Sequence, residues 1–219
     1  MPPSLTVHWP YLLVALAMLW FPRQWLRLGP ALWKRRRRSQ TDVERFSNSS
    51  PPGDPENKTI SLARELRNKR NYLDFLRAAL GGWALLQYSF EAHGKGLSGR
   101  LLTAQAAVLL GATLIQCLRF ETRWGFFAPI FFFAGLSIAL SGPIPALFAL
   151  VFMFAINPAI PNPRLFISLY ALLLIPLGYF LDASRSLLIL NVLLLWLPPV
   201  LSLLGRRSMA IYAKKPKLV

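Results

Sequence analysis

Residues Trp124 to Pro163 read WGFFAPIFFFAGLSIALSGPIPALFALVFMFAINPAIPNP, 40 consecutive residues without Asp, Glu, Lys or Arg. A helix needs about 20 apolar residues to cross the hydrocarbon layer of a bilayer. The stretch is therefore too long for one span, and Ser141-Gly142-Pro143-Ile144-Pro145 breaks it in the middle. It divides into segments 124–141 and 143–157. The second rises about 22 Å at 1.5 Å per residue, short of a core about 30 Å thick. The pair forms either two short spans or one re-entrant hairpin. Both readings leave every other span in the same orientation.

Working outward, the same reading repeats. Leu101–Leu118 lies uncharged between Arg100 and Arg119, and Leu165–Leu181 and Ser186–Gly205 are also free of charge. Leu73–Phe90 carries Asp74 and Arg77 near its start and is otherwise apolar. An Arg about one turn inside a helix end can extend to the headgroups, so this segment is read as a span. Met1–Pro22 is the last uncharged run, with its apolar centre at Tyr11–Phe21. The expected fold is an all-α membrane protein, a bundle of about seven transmembrane helices.

Charge sets the orientation. The chain holds 25 Lys and Arg against 9 Asp and Glu, yet only 16% of its residues are charged and 54% are hydrophobic. Basic residues stay on the cytoplasmic side of membrane proteins. With the amino terminus outside and the carboxyl terminus cytoplasmic, 22 of the 25 fall inside, leaving Lys95, Arg100 and Arg185 outside. Met1–Trp9 has no Lys or Arg and Leu19-Trp20-Phe21-Pro22 is too bulky for signal cleavage. The first segment, 1–22, is expected to be a reverse signal-anchor. It precedes a cytoplasmic segment 23–72, a six-helix membrane region 73–205, and a basic cytoplasmic tail 206–219.

The cytoplasmic segment opens with Arg23, Arg27, Lys34, Arg35, Arg36, Arg37 and Arg38, interleaved with Trp25, Leu26, Leu28 and Trp33. Rings at headgroup depth and cations beside them suit contact with anionic lipid, at about 1 kcal/mol per basic residue. The same cluster would hold the first span in orientation. No nucleic-acid motif accompanies it, so nucleic acid is not an expected partner. Ser39–Asn57 has the Ser, Asn and Pro content of a disordered linker, and Thr59–Asn71 that of an interfacial helix.

Polar residues of the spans are few. Gln87 and Gln105 lie at matching depth near the outer ends of the second and third spans, where they would pair as packing residues. Ala78 and Gly82, with Ala107 and Gly111, would allow those two helices a close approach. Glu91 and His93 follow the second span, and Asp182 and Arg185 occupy the turn before the seventh. Glu91, His93 and Asp182 are the catalytic candidates, since a carboxylate and an imidazole brought together can exchange protons with a substrate. Asn191 lies about one and a half turns below them.

Other chemistries find no support. One Cys and two His make neither a disulfide framework nor a four-ligand zinc site, and no cofactor or metal is expected. No Lys falls inside a span, which excludes a retinal Schiff base. Asn157-Pro158-Ala159 occurs once, whereas water channels need it in two inverted halves. Pro129, Pro176, Pro198 and Pro199 would kink helices that contain them.

The expected function is that of a non-enzymatic membrane component: an accessory subunit, a scaffold or a lipid-binding protein, with a membrane protein as a further partner. A small transporter or flippase for an apolar or lipid substrate is the alternative. A membrane enzyme acting on a lipid or lipid-linked group at the outer face is the second. The composition suits a bacterial inner membrane.

Overall fold

The computed structural model of the chain describes residues 4–22, 69–93, 98–120, 124–160, 162–205 and 209–210. The basic cluster Arg23 to Arg38, the linker, nearly all of the expected interfacial helix and most of the tail lie outside them. The described residues form seven α-helices: α1 Trp9–Trp20, α2 Lys69–Gln87, α3 Ser98–Cys117, α4 Ile130–Ser141, α5 Pro143–Ile156, α6 Pro163–Phe180 and α7 Arg185–Leu204. Three of them, α3, α6 and α7, are long and apolar enough to cross a membrane; α1, α4 and α5 are shorter apolar helices. This is the architecture of a membrane protein.

Helix starts follow local chemistry. Pro143 and Pro163 stand in first turns, where the missing N–H is no loss. The Asn162 side chain accepts a bond from Leu165 N at 2.8 Å and caps α6. Between α4 and α5, Gly142 takes φ +91, a conformation closed to most L side chains, and so turns the chain at once. Asn157–Ala159 makes a single 3-10 turn after α5. Pro176, Pro198 and Pro199 lie inside helices, but Pro129 is the cap of α4 and kinks nothing.

The molecule is not purely helical. Two small sheets stand at opposite ends of the helices, a feature that hydropathy does not report. β1 (Ser4–Val7) pairs antiparallel with β2 (Phe90–His93), Ser4 opposite His93 and Val7 opposite Phe90. β3 (Leu118–Phe120) and β4 (Trp124–Phe127) form an antiparallel hairpin, and β5 (Met209–Ala210) joins β4 in parallel. The strands also correct the segment limits: the fourth segment becomes helical only at Ile130, and the second ends at Gln87.

The centre of the fold is α4, buried over nearly its whole circumference. A helix apolar on every face belongs in an interior. Its main neighbour is α2, and the two run parallel: Gly135 meets Phe75 and Ala78, and further along Gly82 meets Ala139 and Leu136. The small residues of α2 thus receive α4, not α3 as expected from sequence. Gly111 of α3 instead accommodates the indole of Trp20, whose Nε1 donates to Val108 O at 3.0 Å. The short helix α1 therefore contacts both α2 and α3.

Candidate functional site

The interior polar groups concentrate in two places. The first joins four helices. Asn191 of α7 is fully buried; its Oδ1 accepts from Ser137 Oγ at 3.2 Å, and its Nδ2 donates to Ser141 Oγ at 2.8 Å. The Tyr170 hydroxyl from α6 bonds with Ser137 and donates to Ala146 O of α5 at 3.3 Å. An unpaired polar group in hydrocarbon costs several kcal/mol, so such groups find one another.

This network reaches an open cleft of about 310 Å³ where the α4–α5 and α6–α7 turns face each other. Ser141, Ile144, Leu181, Asp182 and Ser184 are among its lining residues. Asp182 occupies the left-handed region, φ 54, in the tight turn before α7. Nearby, the Arg185 guanidinium lies 5.9 Å from the centroid of the Tyr179 ring.

The second group lies beside the end of α1. Arg77 donates through Nε to Asp74 Oδ1 at 2.9 Å and through Nη2 to Gln116 Oε1 at 2.9 Å. Its Nη1 bonds the carbonyls of Met18 and Phe21. Gln116 Nε2 adds bonds to Leu19 O at 3.0 Å and Phe21 O at 2.9 Å. The last carbonyls of a helix lack partners within it and carry partial negative charge. A guanidinium and an amide from α2 and α3 satisfy them here. Phe132 of α4 places its ring centroid 5.4 Å from the same guanidinium. Arg77 therefore turns inward and does not extend to the headgroups as expected. The fully buried Asp74 carboxylate and the α1 carbonyls draw it there. The i,i+3 spacing of Asp74 and Arg77 was the available signal; the carbonyl partners, belonging to a distant helix, had none.

Of the catalytic candidates, Glu91 and His93 come together on one face of the β1–β2 ribbon, His93 Nε2 lying 3.6 Å from Glu91 Oε2. His8, which sequence reasoning passed over, approaches the same oxygen at 3.2 Å. All three are about half exposed. Asp182 belongs to the cleft, not to this cluster. Among the described residues no group of three or more His, Cys, Asp or Glu is arranged to hold a metal ion. The expected Gln87–Gln105 pair gives way to a different bond. Gln105 Nε2 donates to Leu86 O at 3.2 Å, while Gln87, turned about 100° further round the helix, is exposed.

No protein-family model, curated protein or solved structure matches the chain.

Proposed function

We propose that the chain is a seven-helix integral membrane protein, amino terminus outside and carboxyl terminus cytoplasmic, acting as a non-enzymatic component: an accessory subunit, scaffold or lipid-binding protein. The observation that carries this reading is the use of its buried ion pair. Asp74 and Arg77 hold the end of α1, a task of assembly. An ionisable residue in a membrane interior is a functional candidate by default, and here that role is taken by packing.

The topology has independent support. The β1–β2 ribbon joins two segments assigned outside, and the β3–β4–β5 sheet joins segments assigned to the cytoplasm. Exposed Trp9, Tyr11, Trp83 and Tyr88 gather near the ribbon, as an aromatic belt would at an interface. A bacterial inner membrane suits the distribution of basic residues.

Transport of an apolar or lipid substrate is the second reading, favoured by the break at Gly142–Pro143. Interrupted helices beside a polar cleft are a recurrent feature of transporter sites. The enzyme reading needs Glu91, His93 and Asp182 in one place, and the carboxylate of Asp182 belongs elsewhere.

Two measurements test the proposal. A cysteine at Gly99 should react with an impermeant maleimide on intact cells, and one at Lys69 only after permeabilisation; the reverse pattern rejects the orientation. Native mass spectrometry of the protein extracted with its own lipids should recover a stoichiometric protein partner or a selected lipid. A bare chain that turns over a lipid substrate would reject the non-enzymatic reading.

A further inference from the structure

The cleft between the α4–α5 and α6–α7 turns has a composition that selects its occupant. Asp182 and Arg185 stand three residues apart with opposite charge, yet make no ion pair with each other, and Asp182 has no ion-pair partner among the described residues. Ser141, 3% exposed, lines the cleft and accepts from Asn191, so its own O–H remains available as a donor. Ser184 caps α7 without a side-chain bond to the helix, which leaves the first-turn N–H groups beside Arg185 open to an anion. Asp182 and the Ser141 hydroxyl thus border one cavity, and the exposed Arg185, its guanidinium over the Tyr179 ring, follows the lining residue Ser184. Below it, Ile144, Phe148 and Val151 are exposed at i, i+4 and i+7, an apolar stripe running from the cleft down α5.

We propose that this cleft binds the headgroup of a phospholipid bearing a primary amine. Its ammonium donates to Asp182, its phosphate accepts from Arg185 and the Ser141 hydroxyl, and one acyl chain follows the α5 stripe. This deepens the lipid-binding form of the function proposed above and rests on its membrane placement. The primary amine is specified because a quaternary ammonium has no N–H to give the carboxylate. The stripe specifies a lipid over a soluble phosphoamine.

The test is native mass spectrometry of the full chain in mixed micelles. These contain phosphatidylethanolamine, phosphatidylcholine and phosphatidylglycerol of identical acyl composition. The expected result is preferential retention of phosphatidylethanolamine. Asp182→Asn should reduce it about tenfold, the effect of one lost charge-assisted bond, with phosphatidylglycerol unaffected. Asn tolerates the left-handed backbone at 182, so this variant keeps the turn, and an unchanged melting temperature would verify it. Arg185→Gln should lower retention of both lipids. Equal retention of the three lipids, or an unaltered preference in Asp182→Asn, overturns the proposal. So does displacement by free phosphoethanolamine at equal concentration, which would make the acyl stripe irrelevant. A chain that labels as predicted at Gly99 and Lys69 but shows no lipid preference rejects this site alone and leaves the membrane placement standing.

Discussion

Gly135 of α4 lies directly against the backbone of Phe75 in α2, so that a methyl group at 135 would overlap the Phe75 carbonyl oxygen. A flexible side chain could move aside, but a helix backbone cannot without shifting the whole contact. Gly135→Ala is expected to separate α2 from α4 and destabilise the protein by about 1–3 kcal/mol or more. Gly99 in α3 has nothing within 4 Å of the same position, and Gly99→Ala should be neutral or slightly stabilising. Thermal unfolding of the two variants in detergent would compare them directly.

The Asp74–Arg77 pair predicts an asymmetry. Arg77→Ala removes the guanidinium from a fully buried carboxylate and uncaps α1, and breaking a buried pair costs about 3–5 kcal/mol. Arg77→Met with Asp74→Leu removes both charges and should recover much of that loss. The carbonyls of Met18 and Phe21 would still lose a donor, so recovery should be incomplete. A double-mutant cycle on melting temperature measures the coupling, and an additive cycle would show that the pair does not act as a unit.

At Asn191 the expected effects are graded. Asn191→Leu should cost about 0.6–1.7 kcal/mol, because Ser137 and Ser141 can turn their hydroxyls to carbonyls of their own helix. Asn191→Asp places a carboxylate among apolar groups and should cost more. Equal losses in the two variants would mean that the site is wetter than its burial implies.

The exposed Glu91 cluster should contribute little to stability. Surface pairs of this kind are worth about 1 kcal/mol at most, so Glu91→Gln and His8→Ala should melt close to the parent protein. Complementation of a deletion in the source organism should also survive Glu91→Gln and His93→Ala. Loss of complementation by a normally inserted variant would transfer the case to the membrane-enzyme reading.

The last two helical segments could be read from hydropathy to within two residues, 165–181 against the observed Pro163–Phe180 and 186–205 against Arg185–Leu204, whereas the segment read from 124 is helical only from Ile130. Length and apolar content are properties of a segment by itself. Partner choice is not. Ala78 and Gly82 announce a close approach without saying to which helix, and α4 and α3 offer similar small residues. The strands were invisible because two to four residues carry too short an alternation to register, and β5 depends on β4 for its existence. The cleft was half legible. Asp182 stood out as a charge in the turn before the last helix, whereas its Ser141 side required knowing that the Gly142 turn packs opposite it.

The parallel pairing of β5 with β4 has a consequence for biosynthesis. Met209 meets Phe126 across 83 positions of chain, with the whole of α4 through α7 synthesised between them. The sheet at that end cannot close until the final helix has left the ribosome and been handed to the bilayer. The β1–β2 ribbon, by contrast, is available as soon as residue 93 has emerged. One end of the protein is therefore tied early in translation and the other at its close, so that a stalled or truncated chain would present an unclosed β3–β4 hairpin to quality-control proteases.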